Sequence, residues 1–264
     1  MVCFDRELLR LVPRVLRARD FHLYIEGGKR LTDLWRQGGK ALLGHKRPRV
    51  VGELKNAAER GLFCALPHPL EKRFLKALAG LFPDRAFRLF LNEGSMHRAL
   101  GKAGVSGNVP LWRPFLEKVT VTFFTPVLPW SLGPEVLVLE KSLDASFPPG
   151  DLIPPVLLAA AARALYDLAA VLKENKIPRY PKIEKALSQS HGSGTGGASS
   201  GGSGVWRRQG IYLTTELNKT NYAELFKKFL EGGFLIPPSS EEPAILPFTM
   251  SQGEEAKLAE LIQS

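Results

Sequence analysis

The sequence has few cysteines and no metal-ligand spacing. Cys3 and Cys64 are the only cysteines among 264 residues, and one pair supplies neither a disulfide scaffold nor a four-thiolate zinc site. The five histidines show no metal spacing, and no P-loop or dinucleotide fingerprint occurs. Ser95 and His97 are neighbours on a turn and lack the third member of a catalytic triad. These absences argue against a disulfide-rich domain, a zinc protein and a nucleotide-binding P-loop enzyme.

Long uninterrupted apolar runs are also lacking. Residues 1–20 carry arginines throughout, so they predict no signal peptide. The most apolar run extends from Pro154 to Leu172 and is interrupted by Arg163 and Asp167, so it predicts a buried helix instead of a membrane span. Together with the two unpaired thiols, these features predict a cytoplasmic protein with no membrane span.

Positive charge is in excess, with a formal net charge of +10. Such a charge favours contact with anions, including phosphates, acidic surfaces and nucleic acid, without selecting one of them. An anionic ligand is therefore compatible with the sequence. Nucleic acid is less favoured, because no arginine-rich tail of the RNA-binding kind is present. A basic nucleic-acid-binding protein remains an alternative, and its affinity would fall steeply with salt.

Periodicity predicts alternating helices and strands. Apolar residues recur at helical spacing over 4–17, 48–61, 69–81 and 154–175. Residues 21–35 predict a hairpin that turns at Gly27-Gly28, and short strands are predicted at 87–91, 119–124 and 136–139. Strand–helix alternation indicates an α/β protein, not an all-α or all-β one.

A glycine- and serine-rich stretch divides the C-terminal part from the rest. Residues 188–204 have nothing to bury and predict a flexible linker that spans roughly 20–25 Å on average. The composition is compatible with a natural loop and with an engineered replacement. Beyond it, Ile211–Leu213 predicts a strand, and helical spacing returns over Tyr222–Leu230 and after Ser251.

Three N-terminal stretches and two C-terminal ones occur in the order of a known family. They are Gly28–Trp35, Leu43-Gly44-His45 with Pro48, Phe90–Ser95, Val205–Leu217, and Gly233–Ser239 with Glu242. This chain resembles class-III pyridoxal-phosphate (PLP) aminotransferases, and its C-terminal run is most similar to glutamate-1-semialdehyde aminomutases. The resemblance covers about 95 residues at the front and about 60 at the back, and much of the family's catalytic middle is missing.

The resemblance implies a reduced, mainly parallel α/β fold of the PLP-transferase fold type I. Residues 1–60 would form an N-terminal helix and hairpin, part of a small α+β domain that is completed by residues 205–264. Residues 61–187 would form a reduced large domain, with the linker at 188–204. The family members are usually homodimers, so a homodimer is the implied assembly.

Two positions match the cofactor-binding chemistry of that family. Gly94-Ser95 stands at a strand-to-helix turn, where free amides suit a phosphate, and by resemblance it is the PLP phosphate position. Ser95 is equally explained as a plain helix cap. Lys141, in Val138–Leu143, is similar to the Schiff-base lysine of the family. The alternative for Lys141 is a solvated lysine after an edge strand.

Other catalytic parts of the family have no counterpart. The acid that would face the pyridine nitrogen is missing, because Glu135 lies only six positions before Lys141. The family has a late arginine at a position that corresponds to about Ala244 in this sequence. Without that arginine, the chain lacks a bidentate clamp for a substrate carboxylate. We therefore expect a degenerate, non-catalytic binding or assembly protein. The alternative is a minimal PLP-dependent aminotransferase or aminomutase that uses Lys141.

Overall fold

The computed structural model describes residues 5–105, 107–116, 120–191 and 205–264. Contacts divide the chain into two compact units. Unit 1 comprises Met1–Gly38, Leu42–His45 and Ile177–Ser264, and unit 2 comprises Gly39–Ala41 and Lys46–Lys176. Unit 2 is thus inserted into unit 1, whose own segments lie on either side of it in the sequence.

Unit 1 contains two small sheets and four helices within the described residues. Strands β1, β2, β3 and β10 form one sheet, with β3 and β10 parallel and the other pairs antiparallel. Strands β11, β9 and β8 form an antiparallel sheet. The elements are α1 (Arg6–Arg10), β1 (Val15–Arg19), β2 (His22–Ile25), β3 (Arg30–Asp33), α6 (Pro181–His191), β8 (Trp206–Gln209), β9 (Tyr212–Thr215), α7 (Lys219–Glu231), β10 (Phe234–Leu235), β11 (Ala244–Ile245) and α8 (Gln252–Gln263).

Unit 2 places helices on both faces of a sheet with the order β4-β7-β6-β5. Strands β4, β5 and β6 run in one direction, although only β5 and β6 of these are neighbours. Strand β7 runs against them and lies between β4 and β6, so two of the three pairings are antiparallel. The elements are α2 (Pro48–Glu59), α3 (Pro69–Leu81), β4 (Arg85–Phe90), α4 (Glu93–Lys102), β5 (Leu111–Trp112), β6 (Phe123–Pro126), β7 (Glu135–Glu140) and α5 (Pro155–Glu174).

Strand β7 is the centre of the unit 2 core. Its side chains alternate between the two faces, as a strand with period 2 requires. Val136 and Val138 pack in the cluster that contains α3 and α5, whereas Leu137 and Leu139 pack in the cluster that contains α4. Because both faces of the sheet are covered, all four inner residues of β7, positions 136–139, are apolar.

Helix α5 is long and apolar enough to cross a membrane by length and composition alone. More than half of its apolar window is buried inside the protein, and it packs against α2 and α3. Among the described ion pairs, the only one on the buried side of α5 joins Arg163 to Asp167. These contacts agree with the predicted core helix.

The N-terminal segment differs from the prediction of one amphipathic helix over 4–17. The helix ends at Arg10, Pro13 follows in the next turn, and Val15–Arg19 pairs with β2 as an edge strand. Proline lacks the amide hydrogen that a helix interior needs. The predicted hairpin over 21–35 is present as β2 and β3, with both turn glycines at positive φ.

The unit boundaries also differ from the predicted domains at three places. Residues 46–60 lie in unit 2, because Val50 and Ala57 of α2 are buried against α5. Residues 177–187 lie in unit 1, because Ile183 of α6 is buried in that core. Helix α6 continues to His191, so residues 188–191 of the predicted linker are helical, and residues 192–204 lie outside the described part of the chain.

We expect Leu137→Ala to lower the free energy of unfolding by about 2–5 kcal/mol, because the truncation leaves a cavity in a packed core. The side chain of Leu137 is fully buried. Urea denaturation measures the change. Leu132→Ala is the matched control, since Leu132 is 57% exposed and its truncation should change stability by less than about 0.5 kcal/mol. Equal losses in the two variants would contradict the placement of β7.

Candidate functional site

The pairing of β4 with β7 determines where the predicted site residues lie. Arg85 pairs with Glu140 at one end of this ladder, and Phe90 pairs with Glu135 at the other. Gly94-Ser95 follows the Phe90 end, whereas Lys141 follows the Glu140 end. At about 3.4 Å per residue, the two ends of the ladder are roughly 17 Å apart. The structure therefore does not bring Lys141 to Gly94-Ser95.

The turn at Gly94-Ser95 is a capped helix start. The Asn92 side chain accepts a hydrogen bond from the Ser95 amide at 3.0 Å, and the Ser95 hydroxyl donates to the Asn92 carbonyl at 2.9 Å. A Cβ at Gly94 would lie 3.1 Å from the Asn92 side-chain oxygen, so glycine keeps this cap uncrowded. The strand-to-helix geometry that the sequence predicted is present.

A carboxylate that the sequence reasoning missed occupies this helix start. Asp151 accepts a hydrogen bond from the Leu91 amide at 2.9 Å, and its own amide donates to the Leu89 carbonyl at 2.7 Å. The hydrogen bond from the Leu91 amide lowers the pKa of Asp151, and the positive charge of Arg98 lowers it further. Asp151 is thus held as an anion beside Ser95, 56 positions further along the chain.

The approach of Asp151 depends on Gly150. A Cβ at Gly150 would overlap the backbone of Leu89, so only glycine lets the chain run this close to β4. The signal in the sequence is Pro148-Pro149-Gly150-Asp151, a turn-type stretch. Nothing in that stretch indicates which strand the aspartate will meet.

Lys141 lies on the surface, as the alternative reading of its sequence predicted. Its Nζ atom lies 3.2 Å from Oδ1 of Asp84, and the side chains of Lys141 and Asp84 are 65% and 91% exposed. A different lysine, Lys40, lies at the Phe90 end of the ladder, where its Nζ donates to Oε1 of Glu135 at 2.9 Å. Sequence reasoning did not identify Lys40, because its position in the loop before α2 carries no local signal.

Unit 1 contains a second polar cluster, built around the buried carboxylate of Asp33. Its Oδ1 accepts hydrogen bonds from the amides of Trp35 at 3.0 Å and Arg36 at 2.8 Å. Its Oδ2 lies 2.8 Å from Nε2 of His45. Because a carboxylate can only accept, Nε2 carries the hydrogen in this pair. Asp33 and His45 both lie in the N-terminal stretches that resemble the aminotransferase family. The sequence did not indicate that their side chains would pair.

Arg36 lies beneath this pair and is fully buried. Its guanidinium donates to the carbonyls of Asp33, Leu42 and Ile245 at 2.9–3.2 Å. Burial lowers the pKa of Arg36 to about 10, although the charge of Asp33 acts to raise it. The group therefore stays protonated at neutral pH and neutralises Asp33 inside the protein.

The loop after Asp33 is held in an unusual conformation. Arg36 and Gln37 both have positive φ angles, 48° and 51°, which cost energy for residues with side chains. Glu242 stabilises this loop, because its carboxylate accepts a hydrogen bond from Nε1 of Trp35 at 2.9 Å. Gly38 has a φ of +68°, which favours glycine, and a Cβ there would lie 2.9 Å from Oε1 of Glu242.

The overall structure matches PLP-dependent aminotransferases of fold type I, and the predicted fold class is confirmed. Ornithine δ-aminotransferase from Plasmodium falciparum matches with a TM-score of 0.67 and 12% identity, over 95% of this chain and 91% of that one. Acetylornithine aminotransferase from Elizabethkingia anophelis matches with a TM-score of 0.65 and 12% identity, over 96% and 92%. An ornithine aminotransferase from Toxoplasma gondii, which holds PLP at partial occupancy in its active site, matches with a TM-score of 0.67 and 11% identity, over 95% and 89%.

Sequence comparison gives two kinds of relative. An uncharacterised protein of Treponema pallidum is 27% identical over 94% of this chain and 93% of its own length. A glutamate-1-semialdehyde 2,1-aminomutase of Thermus thermophilus is 29% identical, but over only 31% of this chain and 20% of that enzyme. This partial match supports the predicted resemblance to aminomutases. No family model matches the chain.

The residues at Gly94-Ser95 do not fit the phosphate of the PLP that this fold implies. Two of the amides at the turn already donate, one to Asn92 and one to Asp151. The Asp151 carboxylate and the first-turn Glu93 place negative charge where a phosphate would need donors. In the described part of the chain, no group of histidine, cysteine and acidic residues is arranged to hold a metal either.

We expect Asp151→Asn to destabilise the protein by about 1 kcal/mol at pH 7, because it weakens the charge-assisted bond to the Leu91 amide. The lowered pKa means that the carboxylate stabilises the fold above about pH 4, the ordinary range of an aspartate. This stabilisation is lost as the pH falls through the lower folded-state pKa. Urea denaturation between pH 7 and pH 3 should therefore show the two proteins converging in acid.

Glu93→Gln is the control for this measurement. It removes one negative charge from the same helix start but leaves the acceptor of the Leu91 amide in place. Its effect at pH 7 should be smaller than that of Asp151→Asn. A difference between wild type and Asp151→Asn that is the same at every pH would show that the Asp151 charge does not stabilise the turn.

Proposed function

We propose that this chain is a PLP-independent relative of the class-III aminotransferases that acts as a binding or assembly protein without catalysis. The observation that carries the proposal is the Asp151 carboxylate at the Gly94-Ser95 turn. In this position the protein's own anion accepts the Leu91 amide beside the turn and places negative charge where a cofactor phosphate would lie. A phosphate with close to two negative charges would be repelled by it.

The remaining catalytic positions support the same conclusion. Lys141 is solvated and paired with Asp84, at the opposite end of the ladder from Gly94-Ser95. Ala244 lies near the sequence position at which the family has its late arginine. It is buried in β11, where it offers only a methyl group. A Schiff-base nucleophile and a substrate-carboxylate clamp are therefore both lacking at the positions that the resemblance assigns.

PLP titration of the full chain tests the proposal. After borohydride reduction, mass spectrometry should find no stoichiometric PLP–lysine adduct, and wild type, Lys141→Ala and Lys40→Ala should give the same low, scattered labelling. An adduct that is stoichiometric and disappears in Lys141→Ala would establish the minimal PLP enzyme instead. A stoichiometric adduct that disappears in Lys40→Ala would also overturn the proposal and would identify Lys40 as the PLP-binding lysine.

Asp151→Asn tests the electrostatic part of the argument separately. Removal of the charge should allow inorganic phosphate to bind more tightly than it does to wild type, as measured by calorimetry at low salt. Lys141→Ala is the matched control, because it alters charge at the other end of the ladder. If wild type and Asp151→Asn bind phosphate equally, Asp151 does not block the turn.

For the assembly, we propose the homodimer that the resemblance implies. Phe63 and Leu66 are 60% and 63% exposed, three positions apart in the segment between α2 and α3. Large apolar side chains that are exposed close together mark interaction surfaces. They support a contact between copies through unit 2.

Sedimentation equilibrium tests this assembly. Wild type should sediment as a dimer, and Phe63→Ser with Leu66→Ser should weaken the dimer at least tenfold, because two apolar anchors are worth more than 1.4 kcal/mol. Leu132→Ser, which alters another exposed leucine of unit 2, is the control and should leave the dimer intact. A monomeric wild type would contradict the proposal.

A further inference from the structure

Unit 1 carries an open pocket of about 450 Å³, a volume typical of sites that hold small molecules. Most of its wall is apolar. The apolar lining comes from the N-terminal segment and from strands β2 and β10, and consists of Leu9, Val12, Pro13, Val15, Leu23 and Leu235. A molecule in this pocket would therefore cover apolar side chains that otherwise face water.

The Asp33–His45 pair forms the fixed polar part of the wall. Nε2 of His45 is committed to Asp33, which leaves Nδ1 as an acceptor when the ring is neutral. Within the described residues, no hydrogen bond reaches Nδ1. His45 lines the pocket and thus keeps one ring nitrogen as an acceptor, while a carboxylate holds the other.

The backbone around His45 keeps this ring in place. The His45 amide donates to the Asp20 carbonyl at 2.6 Å, and the Asp20 amide donates to the His45 carbonyl at 3.2 Å. Gly44 has a φ of +95°, and a Cβ there would lie 3.0 Å from the Asp20 carbonyl oxygen. Such preorganisation lowers the entropic cost of binding.

The electrostatics of the wall favour an uncharged ligand. The charge of Asp33 is neutralised by the buried Arg36, and both of its oxygens already accept hydrogen bonds. Arg14 also lines the cavity, but its side chain is 85% exposed and is paired with Glu26. A charged ligand would lose its hydration without gaining a buried counter-ion.

We propose that this cavity binds a small, uncharged and mainly apolar molecule whose single N–H or O–H group donates a hydrogen bond to Nδ1 of His45. The buried Asp33, Arg36 and the strained loop at Arg36-Gln37 then have a common role. They fix the orientation of His45, at a cost in stability that a purely apolar core would avoid.

Isothermal titration of the full chain with indole and 1-methylindole tests the proposal. Both probes have the same fused ring, but only indole has an N–H group. Indole should bind roughly fivefold more tightly, because one net hydrogen bond separates the two. Equal affinities, or no binding by indole, would overturn the proposal.

Two variants locate the binding. Leu9→Trp fills the cavity without touching the polar pair and should abolish indole binding, whereas Leu11→Trp, in the same segment but outside the lining, should not alter it. His45→Phe should remove the preference for indole over 1-methylindole. If His45→Phe does not fold, the comparison of Leu9→Trp with Leu11→Trp still decides, and indole binding retained in Leu9→Trp would refute the site.

The outcome is independent of the PLP experiment. The cavity lies in unit 1, whereas Gly94, Ser95, Asp151 and Lys141 lie in unit 2. Indole binding with a stoichiometric PLP adduct would reject only the PLP-independent function. Absence of both would reject only the cavity site.

Discussion

The antiparallel pairing of β4 with β7 is the constraint on which the rest of unit 2 depends. It places β7 in the middle of the sheet, where Val136 and Val138 serve one core cluster and Leu137 and Leu139 serve the other. The same register sends the residues after β4 and the residues after β7 to opposite ends. The β4–β7 pairing therefore stabilises the core of unit 2. The same pairing keeps Lys141 away from the helix start at Gly94.

A carboxylate of the chain itself, Asp151, lies beside this helix start. Helix N-termini attract negative charge whether it comes from a ligand or from a side chain. Here Asp151 meets that need permanently, and Gly150 makes the close approach sterically feasible. The chain thus stabilises this turn with its own carboxylate.

Sequence patterns predicted the elements with strong local signals. Pro69–Leu81 and Pro155–Glu174 are found where helical spacing placed them. Helix α4 begins earlier than expected, because Asn92 is its cap and Ser95, the cap that the sequence suggested, lies inside the first turn. What the sequence could not show was pairing across distance. The contacts of Asp151 with Leu91, of His45 with Asp33 and of Lys40 with Glu135 depend on how the chain is brought together, and no spacing rule encodes them. The helix over 4–17 was wrong because Val15–Arg19 gains a strand partner that local periodicity does not see.

The insertion of unit 2 into unit 1 has a consequence for biosynthesis. Unit 2 is almost continuous in sequence, and its synthesis is complete once Lys176 has been added. Unit 1 has to wait, because β3 pairs with β10 only after Leu235 is made. Until then the nascent chain exposes the open edge of β3 and the unpaired apolar face of the N-terminal hairpin. Translation speed across the last third of the message, and the chaperones that meet the emerging chain there, would therefore govern how much of the protein reaches its native state.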